Sequence, residues 1–177
     1  NNDGGSPSMV NTAGFTQHAY FHKTLGERAA AICHVHTTAS MAVCSHEGGL
    51  LPTNFYACSF HDQIGYHDFE GVTVRAEEGE RLVRNLGNKR VLMLRNHGPV
   101  VLGRTIPEMF LTMWSLQRAC EIQVATLAMG KPVLVAPDVI DVHQRDLSVM
   151  QSQGGAGLLD FEAWKRKVTK IDPSWQQ

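Results

Sequence analysis

Three histidines are spaced so that their side chains could share one metal ion. His34 and His36 stand two residues apart in an apolar run typical of a β-strand, so both imidazoles are expected on one face. His97 closes a second strand-like run, 91–94, and the following Gly98 predicts a sharp turn that presents it. Three neutral nitrogen donors with an open fourth position are typical of a catalytic zinc site.

A His-x-His pair is a weak signal by itself, because a histidine near a strand end is more often a core or surface residue. Further motifs accompany it in order along the chain: NTAGF at 11–15, HVHT at 34–37, GLLP at 49–52, YHDFEG at 66–71, NLG at 85–87, LRNHG at 94–98 and ACEIQV at 119–124. Together they cover nearly the whole sequence. In these motifs the chain resembles the class II aldolase/adducin family.

The resemblance implies a fold and an assembly. The expected architecture is an α/β, three-layer helix–sheet–helix sandwich with a mainly antiparallel central sheet. The expected assembly is a ring-like homotetramer with active sites at subunit contacts. His34, His36 and His97 would then bind Zn²⁺ or another divalent transition metal.

Two further positions bear on catalysis through the same resemblance. Tyr56 stands four residues after Pro52, where the sugar-phosphate aldolases carry a tyrosine that donates a proton in the neighbouring subunit's site. A phenol suits that role, although a tyrosine in an apolar stretch is also typical of core packing. Gly14 occupies the position of the aldolases' acid–base glutamate when His18 is taken as the anchor. The chain departs from the aldolases there and resembles the adducin-type branch.

The expected function is therefore a metal-dependent lyase. It would cleave a C–C bond of a small carbonyl, hydroxy-acid or sugar-phosphate-like substrate through a zinc-stabilised enediolate. Without the glutamate, a 2-oxo or hydroxy-carboxylate substrate is favoured, because decarboxylation needs no base to break the bond. The alternative is a non-catalytic, adducin-like binding or assembly module with a vestigial metal site.

The amino-acid composition limits the number of domains and the class of partner to be expected. The 177 residues, 43% hydrophobic and 19% charged, predict one globular domain spanning 1–177. Sixteen Lys and Arg against 17 Asp and Glu leave a net charge of −1, which disfavours nucleic acid or an anionic membrane as a partner. A small-molecule substrate is expected instead. Residues 1–10 are typical of a loop, and the N-terminal elements that help the family's sugar-phosphate enzymes to hold phosphate are expected to be absent.

The cysteines bear on the cellular compartment. The four of them show no CxxC spacing and are expected as buried free thiols, which indicates a reducing cytoplasm: Cys33, Cys44, Cys58 and Cys120. The sequence shows no leader peptide and no apolar stretch of membrane-spanning length, so a cytoplasmic protein is predicted.

Apolar spacing and cap signals predict the elements. Helices are predicted at 13–25, from Thr37 or Thr38 to 48–49, at 77–86, at 105–129 and from 161 onward. Extended pieces are predicted at 63–66 and 72–74, and a hairpin from 91–94 and 99–102, whereas 141–157 is expected to be irregular. Among the other polar residues, His67 and Asp68 are expected in a structural turn, Glu121 is expected to pair with Arg118 or Arg95, and His46, His61 and His143 are expected at the surface.

Overall fold

A computed structural model describes residues 12–71, 76–152, 155 and 157–176. This part of the chain contains seven α-helices and four β-strands. The helices are α1 (Thr12–Leu25), α2 (Thr38–Ser45), α3 (Phe55–Cys58), α4 (Ala76–Leu86), α5 (Ile106–Ala128), α6 (Pro137–Ser152) and α7 (Leu158–Ile171). The strands are β1 (Ala31–His34), β2 (Ile64–His67), β3 (Val91–Leu94) and β4 (Gly98–Gly103), and short 3₁₀ turns lie at Gly26–Ala29 and Pro173–Gln176.

The strands form one sheet in the order β1-β4-β3-β2. β4 lies antiparallel to both β1 and β3, while β2 lies parallel to β3 at the other edge. The predicted hairpin is β3–β4, with Leu94 opposite Gly98. The expectation of a mainly antiparallel sheet is therefore confirmed.

Alternation along the strands builds a separate core on each face of the sheet. Val91 and Met93 of β3 face α2 and α5, where they pack in one cluster with buried residues such as Leu116. Leu92 and Leu94 face the opposite way and join a second cluster to which α1 and α4 contribute buried side chains: Phe21, Leu82 and Leu86. Helices thus cover both faces, which confirms the three-layer sandwich.

Two predictions about the elements are wrong. Helix α6 occupies most of the stretch expected to be irregular, and only Ile140 of its large apolar side chains is buried, at 2% exposure. Most of its other large apolar side chains are exposed, so this helix is only weakly attached to the core. The strand expected to hold both histidines ends at His34, so His36 lies just beyond β1. The extended piece predicted at 72–74 and the loop predicted at 1–10 lie outside the described residues.

Helix caps follow the sequence signals closely. The Thr37 side chain accepts a hydrogen bond from the Ser40 N–H at the start of α2. At the start of α5, Thr105 accepts one from the Glu108 N–H, and the Glu108 carboxylate accepts one from the Arg104 N–H. The pair resembles a capping box, except that the carboxylate binds the N–H of the residue before the N-cap, and it marks where the 23-residue helix begins.

A buried glutamine ties α5 to the segment after α2. The fully buried Gln123 accepts a hydrogen bond from the Leu51 N–H at 2.7 Å and donates one to the Gly49 carbonyl at 2.8 Å. Gly49 has φ +60°, and a Cβ there would lie 2.2 Å from the Tyr66 hydroxyl. The Tyr66 hydroxyl in turn accepts the Leu50 N–H. These contacts fix the loop against both β2 and α5.

All four cysteines are free, and three of them are buried: Cys44, Cys58 and Cys120. Burial raises the pKa of the Cys44 and Cys120 thiols to about 12. Neither thiol ionises near neutral pH, so neither competes for a metal ion as a thiolate. Within the described residues, no helix combines the length and apolar character needed to cross a bilayer.

We predict that Gln123→Met destabilises the fold by roughly 1–3 kcal/mol, because it leaves the partly buried Leu51 N–H and the buried Gly49 carbonyl without partners while keeping the side-chain volume. Urea unfolding followed by circular dichroism measures the change. Thr126→Val, which removes a more accessible hydroxyl bond on the same helix, serves as the control. Equal stability of Gln123→Met and the wild type would contradict this role.

Candidate metal centre

The three predicted ligands converge at one end of the sheet. His34 ends β1, His36 follows it, and His97 lies in the turn that joins β3 to β4. The ligand atoms of the three imidazoles all lie within 4.8 Å of one another. Their ring centroids are separated by 4.6 to 4.9 Å. His36 is exposed, whereas His34 and His97 are half-buried, so the cluster opens to solvent on one side.

The hairpin turn differs from its prediction in one respect. Asn96, not Gly98, adopts the left-handed conformation, with φ 57°. Asparagine tolerates this region better than most residues, and a left-handed residue is common in three-residue hairpin loops. Gly98 is needed for a different reason: a Cβ there would lie 2.5 Å from the Val35 carbonyl oxygen and 3.1 Å from His36 Cδ2. Its missing side chain lets the hairpin approach the segment that carries the other two histidines.

Hydrogen bonds define the proton positions on His34. Its Nδ1 lies 3.0 Å from the Pro99 carbonyl, which can only accept, so Nδ1 carries the proton. In the neutral ring, Nε2 therefore keeps a lone pair toward the cluster, where it accepts from His36 Nε2 at 2.8 Å. A backbone carbonyl behind a histidine in this way is the usual means of orienting a metal ligand.

Burial keeps the inner histidines neutral. It lowers the pKa of His34 to about 4, against the raising effect of the Pro99 carbonyl, and the positive charges of His97 and His36 lower it further. Burial, followed by the charge of His36, also lowers the pKa of His97. Neutral imidazole is the form that binds metal, so near pH 7 the cluster is a set of nitrogen donors.

The donor set fits a divalent transition metal. Three neutral nitrogens suit zinc and its neighbours and disfavour calcium or magnesium, which take oxygen ligands. Zn–N bonds of about 2.0–2.1 Å in a tetrahedral site separate two ligand nitrogens by about 3.3 Å. The 2.8 Å between the Nε2 atoms of His34 and His36 would therefore increase by roughly half an ångström on metal binding. The exposed His36 ring has room to move by that amount.

Residues of α5 support the segment that carries His36. The Thr37 hydroxyl donates to Gln117 Oε1 at 2.6 Å, and Gln117 donates to Glu121 Oε1 at 2.7 Å. Glu121 also pairs with Arg118 at 2.6 Å. Of the two partners expected for Glu121, the structure shows Arg118, because Arg95 lies over the Tyr66 ring and donates to the His46 carbonyl. The chain of contacts from Glu121 to Thr37 holds the residue next to His36.

Tyr56 lies away from the histidine cluster in this chain. It is half-buried in α3, and its ring meets Phe55 and Trp114 edge to face. No contact between Tyr56 and the three histidines is present among the described residues. A role for its hydroxyl at this centre therefore requires the cluster of another subunit, as the resemblance implied.

Gly14 lies on α1 one turn before His18, which is close enough to His34 to lower its pKa. Residues four apart share a helix face, so Gly14 lies on the face that carries His18. No atom lies within 4 Å of a Cβ built at Gly14. The position that the resemblance matches to the family glutamate is thus sterically open among the described residues.

The cluster around His67 was not predicted from the sequence. This histidine is buried, accepts a hydrogen bond from Asn85 at Nδ1, and lies 3.5 Å from Glu70 and 3.7 Å from Glu78 at Nε2. Arg81 pairs with Glu70 through two hydrogen bonds. The prediction of a structural role near His67 agrees with this arrangement, although the residue itself ends β2 rather than forming a turn.

Of the histidines expected at the surface, only His61 is exposed. His143 is half-buried and bonds Ser59 at 2.9 Å, and His46 is half-buried with its Nδ1 enclosed. The sequence pattern did not predict that the side chains of His46 and His143 are partly covered.

Comparison with known proteins places this geometry in a family. The family described as Class II Aldolase and Adducin N-terminal domain matches residues 2–124. The chain belongs to the class II aldolase and adducin family. A Caulobacter vibrioides protein whose name assigns it to aldolase class 2 is 39% identical over 168 residues, covering 94% of this chain and 63% of that protein. Alpha-adducin of Mus musculus is 38% identical over 182 residues, covering 96% of this chain and 24% of adducin.

Solved structures of this family share the fold. An aldolase II superfamily protein from Pseudomonas syringae matches with a TM-score of 0.85 and 29% identity over 92% of this chain and 65% of that one. L-fuculose 1-phosphate aldolase from Glaciozyma antarctica matches with a TM-score of 0.68 and 26% identity over 78% of this chain and 52% of that one. The chain thus spans less than two thirds of the length of several proteins that it resembles.

We predict that Gly98→Ala weakens metal binding and costs about 1–3 kcal/mol of stability, because the new methyl group would push the hairpin away from the Val35 carbonyl. Calorimetric zinc titration and thermal unfolding measure the two effects. Gly14→Ala is the matched control, since its methyl group meets open space in a helix. Unchanged zinc affinity in Gly98→Ala would show that close approach of the hairpin is dispensable.

Proposed function

We propose that the chain carries the metal centre of a class II aldolase-type lyase, which cleaves a C–C bond next to the carbonyl group of a small acid. The convergence of His34, His36 and His97 within 4.8 Å is the observation that carries this proposal. Family membership supports it, since an aldolase of the family shares the fold. A divalent transition metal, with Zn²⁺ the favoured ion, would supply Lewis-acid polarisation of the substrate carbonyl when bound.

The chain's own residues prepare the site for that chemistry. The Pro99 carbonyl holds the His34 proton on Nδ1 and so directs the lone pair of Nε2 toward the cluster. Burial keeps His34 and His97 uncharged, which leaves their nitrogens available and does not repel a cation. The exposed side of the cluster, next to His36, leaves room for substrate oxygens. Phe69, 55% exposed, stands edge-on to His97 at 6.0 Å and borders that opening.

The open position at Gly14 favours one reaction class. Aldol cleavage starts by removing a proton from a hydroxyl group, which needs a base, and Gly14 supplies none. Decarboxylation starts from an ionised carboxylate, whose bonding electrons pass to the carbon next to the polarised carbonyl as CO₂ departs. That carbon then needs only a proton. We therefore propose, in preference to a sugar phosphate, a 2-oxo or hydroxy-carboxylate substrate whose departing carboxylate is attached to the carbon next to the carbonyl, because the electron pair left by CO₂ is then held as an enolate.

Tyr56 is the proposed proton donor, and it would act in the site of a neighbouring subunit. Among the described residues its ring contacts are with Phe55 and Trp114, and none is with the histidines of its own chain. Phe55, beside it on α3, exposes 68% of its surface, as expected of an apolar residue that another chain covers. A homotetramer with shared sites is consistent with both observations.

A second candidate function is a non-catalytic assembly module of the adducin type. The observation that favours it is the 38% identity with alpha-adducin of Mus musculus across 96% of this chain. In that case the three histidines would bind metal without turning over substrate. Metal content and catalysis must therefore be measured separately.

The first test is elemental analysis of the purified chain after zinc loading and desalting. We expect about one ion per subunit in the wild type and loss of stoichiometric metal in His36→Ala, because three-coordinate binding needs every imidazole. His36 is exposed, so its replacement leaves the core intact. His61→Ala, at another exposed histidine, should keep its metal. Full metal in His36→Ala would mean that the site is elsewhere.

The second test assays zinc-loaded protein against a panel of oxo- and hydroxy-acids and a panel of sugar-phosphate aldols, following CO₂ and aldehyde release. We expect turnover of an acid, abolished by His36→Ala and kept by His61→Ala. Robust cleavage of a sugar phosphate would contradict the substrate proposal. Stoichiometric metal with no turnover on either panel would favour the assembly module.

The third test concerns the shared site. Light scattering should show a tetramer, and Tyr56→Phe should be inactive, as should His36→Ala. Mixed oligomers refolded from equal amounts of the two variants should recover roughly a quarter of the wild-type activity, because a site built from two chains regains both groups at random. A monomer at micromolar concentration, or mixed oligomers without activity, would remove Tyr56 from the mechanism.

A further inference from the structure

A group of four cationic side chains lies at the end of the sheet opposite the histidines. Arg90 directly precedes β3 and Arg104 directly follows β4, whereas His97 lies at the far end of both strands. Arg28, in the turn before β1, and Lys89 complete the group, which we call the basic pocket. These four residues line a single cavity of about 150 Å³.

Three of the four cations of the basic pocket donate to backbone carbonyls rather than to carboxylates. Arg28 donates to the carbonyls of Gly87 and Lys89, and Lys89 donates to that of Ile64 at 2.9 Å. Within the described residues none of the four forms a salt bridge, and the Arg104 side chain makes no hydrogen bond. Carbonyl contacts orient these side chains but leave their full charges uncompensated.

Arg90 is the most enclosed of the four. It donates to the Ser59 carbonyl at 3.0 Å and lies over the Phe60 ring, and its Nε is buried without a partner. Burial lowers the pKa of its guanidinium, and the charge of Glu108 raises it. A buried guanidinium N–H without an acceptor is costly. Arg90 lines the basic pocket and also two cavities on the side of Ser59, so its positive charge lies beside all three.

One carboxylate, Glu108, also lines the basic pocket. Its Oε2 accepts the Arg104 backbone N–H at 2.9 Å as part of the cap of α5. The negative charge of the carboxylate is thus shared between two tasks. It offsets part of the positive end of the α5 dipole, and it offsets one of the four cations of the basic pocket. Four cations against one capping carboxylate leave a net positive cavity in a chain whose overall charge is −1.

We infer that the basic pocket binds a phosphate group. A volume of 150 Å³ corresponds to about five waters at roughly 30 Å³ each, the scale of a phosphate group rather than of a whole sugar phosphate. Guanidinium groups present paired N–H donors that match phosphate oxygens, and the pocket supplies three of them beside a lysine. The site is separate from the histidine cluster and does not depend on the proposed lyase activity.

The test is isothermal titration of the metal-free chain with inorganic phosphate and with pyrophosphate. It is carried out in the His36→Ala background, so that phosphate bound to a metal at the histidines cannot contribute. We expect saturable binding that Arg104→Gln and Arg28→Gln each weaken by roughly three- to fivefold through loss of one charge. Both side chains are exposed, so folding is preserved.

Lys131→Gln is the matched control, because it removes one exposed charge after α5, outside the basic pocket. It should leave the affinity for phosphate unchanged. Absence of saturable binding at millimolar phosphate, or equal weakening by Lys131→Gln, would overturn the inference. Binding of an acidic peptide without binding of phosphate would overturn it as well and would assign the surface to a protein partner.

Discussion

The histidine cluster depends on one close contact between two backbones. The Val35 carbonyl approaches Gly98 so closely that a Cβ at Gly98 would lie 2.5 Å from the oxygen. Val35 lies between two of the histidines, and Gly98 directly follows the third. Because the contact is steric, it depends on a residue without a side chain rather than on a favourable bond. The remaining elements serve to keep these two short segments in place.

Two glutamine side chains of α5 form hydrogen bonds with the segments around this contact. Gln117 binds the hydroxyl of Thr37, the residue after His36. Six residues farther along, Gln123 fixes the loop that Tyr66 also binds, and the Tyr66 ring lies against Arg95 in the hairpin turn. The same helix therefore steadies both sides of the cluster. A buried amide suits this task, because it donates and accepts at once without the desolvation cost of a charge.

The features that could be predicted from the sequence are those that depend on residues close together in the chain or on recognisable motifs. The His34–His36 spacing, the β3–β4 hairpin and the cap of α5 are local patterns, and the structure shows each of them. Helix α6 was not predicted, and most of its large apolar side chains stay exposed in the structure. The roles of Gly98 and Gln123 escaped because each depends on a residue more than 60 positions away, Val35 and Leu51 respectively. The sequence could place Tyr56 only by resemblance, and a single chain does not test that placement.

The buried cysteines have a practical consequence. Thiolate is the form that reacts with alkylating and disulfide reagents, and burial holds Cys44 and Cys120 in the thiol form at neutral pH. Their packing between α2, α5 and the sheet also denies reagents access while the sandwich is closed. The rate at which a thiol dye labels these two residues therefore reports how often this half of the molecule opens. The chain thus contains its own probe of local opening, which requires neither an engineered label nor knowledge of the substrate.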